Sequence, residues 1–406
     1  MTSPATVEVC FRAQSQFLHT WPADAPRPAV ICRKRHRHVI AGGRGLTRGV
    51  ARRKLVPAMV PNRPTASLTG PDVWRGAELA ASPQTWLRWF TGNELGALDD
   101  AAARLLGTGW PNTSVDSFIA SPAITALISG IRNDLLFGRG FAVLRGLPVD
   151  DDPARVAARL WVLGRHLGKP VSQNARGHLV GHVCDLGYDA ADPATRLYQT
   201  NQRQGFHTDS ADVVALLCLR AATSGGQSSL VSVATVFNEV VARDPELAGV
   251  LFDPVATDHR GEEPPGARPW FEIPVLSFLD DRLTVIYQRR YIESAARFPE
   301  APRLSDRQRA ALDVFDAVLD DPHIHLEMDL EPGDVQLVHN HQVLHDRTAF
   351  VDDPDPARRR HLLRLWLCPP IGRRLPASFA ERYGSIEIGR RGGVVPRAAR
   401  VIALTP

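Results

Sequence analysis

Cysteine, lysine and long apolar runs are what this chain has least of. Five cysteines (Cys10, Cys32, Cys184, Cys218 and Cys368) are scattered over 406 residues, odd in number and without a CxxC pair. That excludes a disulfide framework, gives no thiolate zinc site, and suits a reducing cytoplasm. Lysine occurs only at Lys34, Lys54 and Lys169, so nearly all positive charge is arginine. This bias reads more easily as a GC-rich coding sequence than as selection for phosphate contacts. No uncharged apolar stretch approaches the roughly 18 residues of a membrane span, so no membrane partner is expected. With 44% hydrophobic and 23% charged residues the chain is ordinary globular material, which excludes disorder throughout. At roughly 100–200 residues per domain there is room for one decorated domain or two smaller ones.

Acidic residues are nearly missing from residues 1–58, where eleven Lys and Arg stand against Glu8 and Asp24, a net of +9. Taking these from the 48 basic and 44 acidic residues of the whole chain leaves 37 and 42, a net of −5. A nucleic-acid surface across the protein is therefore not expected. Residues 1–58 show no periodicity, and Arg33–His38 is almost purely basic. A targeting or nucleic-acid-binding tail competes here with a disordered extension or a start at Met59; the extension is the preferred reading. The expected organisation is that extension, a helical lead-in over 59–136, a catalytic domain over 137–392 and a tail over 393–406.

The lead-in looks helical from Thr65 to about Gly107, most clearly over Glu94–Leu106, and again over Ala123–Phe137. Phe141–Leu147 reads as a strand and Pro153–Leu167 as an amphipathic helix behind the acidic run Asp150–Asp152. Val213–Arg220 is an apolar run of strand length, with a turn at Gly225-Gly226. Ile273–Phe278 and Leu283–Tyr287 flank Asp280-Asp281 as a hairpin, and Ser305 opens an amphipathic helix to Leu319. Ile324–Leu330 and Val335–Val338 read as a strand pair around Pro332-Gly333, and Arg360–Cys368 as a final strand. Strands dominate the second half, which predicts an antiparallel sheet or barrel buttressed by helices.

His207-Thr208-Asp209 offers an imidazole and a carboxylate to one face if it lies on a strand. Alone it is weak, since such tripeptides arise by chance. His345 lies 136 residues beyond Asp209 and supplies a second imidazole. Two histidines and a carboxylate form the facial triad that holds Fe(II) with positions left open. In the final strand Arg360, Leu362, Arg364 and Trp366 share one face, and Leu363, Leu365 and Leu367 the other. Arginines on an inward face are costly unless paired, so they meet acidic side chains or await anionic ligands. His339, His341 and His345 could instead form a zinc site, as in a zinc hydrolase or cupin-like isomerase. With a loop after Asn340, His339 and His341 would lie behind the metal or face solvent. His361 and Asp352–Asp355 read as edge and loop residues, and Asp258–Pro269 as a connector or a loop over the pocket.

From Phe137 to Trp366 the chain resembles the TauD/TfdA family of Fe(II)- and 2-oxoglutarate-dependent dioxygenases, which includes taurine dioxygenase and clavaminate-synthase-like enzymes. The resemblance rests on Gly138–Gly146, Phe206–Asp209, Ser224–Ser228, Gly333-Asp334 through Asn340 to His345, and Arg359–Arg364. It implies a mainly β fold, a double-stranded β-helix (jelly roll) with flanking helices. It implies Fe(II), 2-oxoglutarate as co-substrate, and O2. His207, Asp209 and His345 match the iron ligands, and Arg360 the arginine that clamps the far carboxylate of 2-oxoglutarate. Ser228 stands where many relatives have a threonine that touches the same co-substrate. Arg364 matches a position that meets acidic substrate groups in several members, and Asn340 an asparagine five residues before the second histidine; both are expected at the substrate. His339 departs from the aspartate of taurine dioxygenase, which argues against taurine as substrate. Asp209 keeps the carboxylate that related halogenases lack, so oxygenation is the implied outcome. The implied activity is oxidation, by default hydroxylation, of an unactivated C–H bond in a small molecule such as an amino acid or other carboxylate. A non-catalytic 2-oxoglutarate or metabolite sensor is the other alternative. The sequence leaves the oligomeric state open.

Overall fold

The computed structural model describes residues 63–64, 66–192 and 195–406; the basic segment 1–58 lies outside the described residues. Among these, an eight-stranded sheet contains Leu87–Trp89, Phe141–Arg145, Val335–His339, Val213–Arg220, His361–Cys368, His178–Val183 and Val401–Ile402 in that order, with Lys169–Val171 also pairing the His361–Cys368 strand. A four-stranded sheet runs Leu326–Met328, Ser228–Ser232, Val343–Arg347, Gln204–His207. This is the jelly roll with flanking helices that the sequence led us to expect.

The layering follows from side-chain alternation. One face of the large sheet presents Leu144, Ala215, Leu217, Leu337, Leu363, Leu365 and Leu367 to helices Gly92–Gly107, Pro122–Phe137 and Pro153–Leu167. The last helix answers with Val156, Leu160, Leu163 and Leu167, one stripe at helical spacing. The other face of that sheet meets the small sheet: Phe141, Val143, Val214, Val338 and Trp366 pack against Leu230, Leu326 and Val343. Behind the small sheet, Phe206, Val231 and Leu344 pack on helices Val233–Arg243 and Asp306–Leu319. Each such aliphatic side chain, fully buried, contributes roughly 1.5–3 kcal/mol.

Local signals place the ends of these elements. Thr91 and Glu94 form a capping box at Gly92–Gly107, Ser305 and Gln308 another at Asp306–Leu319, and Asp152 caps Pro153–Leu167. The hairpin Leu276–Leu279 and Arg282–Val285 turns on Asp280 and Asp281, both at positive φ. Two expectations fail. The stretch from Thr65 to Gly107 is not helical throughout, because Leu87–Trp89 pairs parallel to Phe141–Arg145 at the sheet edge. Nor do Leu326–Met328 and Val335–His339 pair with each other: the first joins Ser228–Ser232 in the small sheet, the second lies between two strands of the large one. The turn at Gly333 is a crossover between sheets, where a Cβ would fall 2.3 Å from the Leu147 carbonyl oxygen. The adjacent Asp334, fully buried, takes a bidentate grip from Arg145 at 2.8 and 2.7 Å.

Candidate active site

His207 ends the strand Gln204–His207 and is the direct cross-strand partner of His345 on Val343–Arg347. Register thus puts the two imidazoles side by side, with ring centroids 4.2 Å apart. Asp209 lies two residues past the strand end, not on it as the alternation argument assumed. Its position comes from the loop: Thr208 N donates to Tyr287 O at 2.9 Å, and Asp209 N to Asn340 Oδ1 at 3.1 Å. The carboxylate oxygens lie 4.0 Å from His207 Nε2 and 3.9 Å from His345 Nε2. All three residues are buried, and their ligand atoms lie within 4.8 Å of one another. No other group of three such side chains gathers this way among the described residues.

The donor set fits a divalent cation. Burial lowers the His207 imidazole below its usual range, and burial with His207 nearby takes His345 down to about 3. Both are neutral at pH 7, the form that can bind a metal. Burial would raise the Asp209 carboxyl, but the Arg364 guanidinium and the neighbouring imidazoles outweigh it and hold the group ionised. His207 Nδ1 lies 3.0 Å from Gly205 O, so Nδ1 carries the proton, and the lone pair is on Nε2, which accepts from Gln204 Nε2 at 2.9 Å.

Arg360 and Ser228 line a second chamber behind His345, walled by Val183, Leu216, Leu330 and Leu362. Arg360 is buried, and its Nη1 has no hydrogen-bond partner. Burial lowers its pKa. The backbone at Gly226 approaches so closely that a Cβ there would meet Arg360 Nε at 2.9 Å, and its φ of +75° also calls for glycine. Ser228 Oγ lies 3.1 Å from Gln336 Oε1.

Arg364 faces the His207, Asp209 and His345 cluster, and here the two readings of that arginine merge. It pairs with an acid, and the acid is Asp209 at 3.2 Å; its Nε donates to Gln173 Oε1 at 2.7 Å. Trp366 Nε1 donates to Asp209 Oδ2 at 2.8 Å. Asn340, expected at the substrate, instead spends its amide within the backbone, accepting from Asp209 N and donating to Ala211 O at 3.0 Å. It positions the loop that carries Asp209. A turn does follow Asn340, but His339 and His341 do not face solvent. His341 is fully buried and bonded through Nε2 to Asp212 at 2.6 Å, Asp212 is held by Arg391 at 2.9 Å, and His339 stacks edge-on against His341. With that carboxylate shared by a guanidinium, these histidines make a buried network and no separate zinc cluster. His361, read as an edge residue, is buried on a central strand, its Nε2 2.8 Å from His182 Nδ1. Asp352 does more than fill a loop, since it accepts from Arg360 N at 2.7 Å.

Gln173, Tyr198, Arg196, Arg290 and Arg382, which no motif in the sequence singles out, line the cavity in front of His207 and Asp209. They come from loops and short helical turns far apart in the chain, with no shared spacing. Only Trp366 carried a signal, its place on the arginine face of the last strand.

The family model described as "Taurine catabolism dioxygenase TauD, TfdA family" matches residues 119–366. The chain belongs to the TauD/TfdA family. This dioxygenase is therefore an Fe(II)- and 2-oxoglutarate-dependent enzyme that uses O2. It is 32% identical over 323 residues to FR-33289 synthase of Streptomyces rubellomurinus, covering 78% of this chain and 95% of that one. A uridine-5'-phosphate dioxygenase from Amycolatopsis is 28% identical over 241 residues, 55% of this chain and 83% of the relative. The solved structure of asparagine oxygenase with Fe(II), 3-hydroxyasparagine and succinate superposes with a TM-score of 0.54 at 21% identity, over 70% of this chain and 93% of that one. That likeness is one of fold. No helix among the described residues is long and apolar enough to cross a membrane.

Proposed function

We propose that His207, Asp209 and His345 hold the iron of this dioxygenase, that Arg360 and Ser228 bind the far carboxylate of 2-oxoglutarate, and that the cavity beside Arg364 takes a small anionic substrate. Hydroxylation of a C–H bond, with release of succinate and CO2, is the proposed outcome. The reading rests on one observation: three neutral-or-anionic ligand atoms within 4.8 Å, at the junction of two chambers that each contain an arginine.

When bound, the metal and 2-oxoglutarate supply the oxidising chemistry. The protein's own part is placement. Gly205 O fixes the His207 tautomer, while Trp366 and Arg364 orient the Asp209 carboxylate. In the rear chamber the partnerless Nη1 of Arg360 sits at the end of an apolar passage, a match for an acid whose two charged ends are joined by methylenes. Substrate binds in front of Asp209, where the lining carries more guanidinium than carboxylate. The relatives agree with a small, polar, charged substrate: one is named for uridine 5'-phosphate, and the solved neighbour holds a hydroxylated amino acid.

The test is spectroscopic and then chemical. Under anaerobic conditions, Fe(II) and 2-oxoglutarate added to the protein should produce the visible charge-transfer absorption of their chelate. Asp209→Ala should lose both that absorption and all measurable succinate release in a screen of amino acids and small carboxylates. Undiminished turnover in Asp209→Ala would remove this residue from the ligand set.

A further inference from the structure

Six charged side chains line the cavity in front of the His207–Asp209 pair: Arg196, Arg290, Arg364, Arg382, Asp209 and Glu262. Two of the arginines already have their counter-charge. Arg364 pairs with Asp209 at 3.2 Å, and Arg196 with Glu262 at 2.6 Å. Arg290 and Arg382 are left over. The Arg290 guanidinium donates to the carbonyl of Ala190. Arg382 donates through Nε to Ser210 Oγ at 2.8 Å and lies 3.4 Å from His259 Nδ1, an imidazole that burial and Arg382 itself hold neutral. All of these partners are uncharged, and the ion pairs among the described residues include neither arginine.

Two guanidiniums that line one cavity with no carboxylate in ion-pair contact are costly in free energy, because both are partly desolvated and Glu262 reaches Arg382 only at longer range. The cost is offset when an anion of matching charge enters. The lining sums to four positive and two negative groups, an excess of +2. A carboxylate or sulfonate neutralises half of that. A tetrahedral dianion neutralises all of it and has three oxygens for two planar forks.

We propose that Arg290 and Arg382 form a receptor for a dianionic oxyanion on the substrate, a phosphonate or a phosphate monoester, in the front cavity and apart from the rear chamber that holds Arg360. This deepens the proposed function and rests on its reading of the front cavity as the substrate site. The two arginines are specificity-determining groups, and the carbon to be oxidised lies between their anion and Asp209.

Isothermal titration of the full-length protein, loaded anaerobically with Fe(II) and 2-oxoglutarate at pH 8, tests this with four probes. Propylphosphonate and ethyl phosphate are dianions; propanesulfonate and butyrate are monoanions of similar size. Both dianions should bind at least about tenfold more tightly than either monoanion. Arg290→Gln and Arg382→Gln should each reduce that preference about tenfold, because the dianions lose more affinity than butyrate does. The better of the two dianions tells which source of the shared chemistry the site favours. Arg290 loses only a carbonyl contact on substitution, so Arg290→Gln remains informative if Arg382→Gln fails to fold. Equal affinity for all four probes, or a preference that survives Arg290→Gln, overturns the proposal. The charge-transfer absorption recorded in the same samples separates the two readings. Absorption without a dianion preference sinks the receptor alone, whereas a preference without absorption sinks the metal-ligand assignment and keeps the receptor.

Discussion

The two faces of the strand His361–Cys368, continued back to Arg360, are the most instructive contrast in the molecule. One face is Leu363, Leu365 and Leu367, packed into the helix-covered core. The other is Arg360, Leu362, Arg364 and Trp366, which face the two chambers. Both faces are buried to the same degree, so burial does not tell them apart. What differs is the partner. The leucines meet only hydrocarbon, and their burial stabilises the fold with no directional demand. On the opposite face each polar group is aimed: Arg364 and Trp366 at Asp209, and Arg360 into a chamber where one of its nitrogens has no protein partner. A buried donor without a partner costs about 1–3 kcal/mol, which suits a ligand site and would be a defect elsewhere.

Substitutions on the two faces should therefore separate stability from chemistry. Leu365→Ala should cost about 2–5 kcal/mol of unfolding free energy, read by denaturant titration, while the Fe(II)–2-oxoglutarate absorption survives in the folded fraction. Loss of that absorption in well-folded Leu365→Ala would break the contrast. Arg360→Ala should do the reverse, weakening 2-oxoglutarate by about 1.5–3 kcal/mol, roughly ten- to a hundredfold in apparent affinity, with little change in melting temperature. An unaltered 2-oxoglutarate requirement would move the carboxylate contact elsewhere. Trp366→Phe keeps the ring and removes the hydrogen bond to Asp209, and should lower metal affinity about tenfold in a chelator competition.

The smallest effect is one of pH. Burial and His182 hold His361 at about 3, and burial with Arg382 holds His259 there too. The unfolded chain takes up these protons near pH 6.5 and the folded protein does not. Stability is thus full above about pH 6.5 and declines as the pH falls toward 3. Between pH 7 and 5.5 the loss should be about 1 kcal/mol per histidine, and His361→Gln should make the melting-temperature profile shallower by one histidine's share, His259 and His345 keeping theirs.

Much of the fold was legible because local rules and tertiary demand agree. Val213–Arg220 and Pro153–Leu167 appear with the bounds their periodicity predicts, and Ser305 caps the helix it was expected to open. The neighbouring histidines of this segment part company. His345 was expected in the cluster and joins it, whereas His339 and His341 are sealed into a network with Asp212 and Arg391. Nothing in a row of three histidines says which will meet a carboxylate from another element. Asn340 was mistaken for a substrate contact for the same reason: its partners, Asp209 and Ala211, lie about 130 residues earlier in the chain.

Alternation, caps and turn residues are properties of neighbours in the chain, so the order of residues already contained the strands, the helices and the split between leucine and arginine on the last strand. Pairing is a property of neighbours in space. Only the closed sheets decide that Leu326–Met328 and Val335–His339 part company, that His345 lands opposite His207, and that arginines from distant elements converge on one cavity. Those meetings depend on register and loop path, which no short window of sequence encodes.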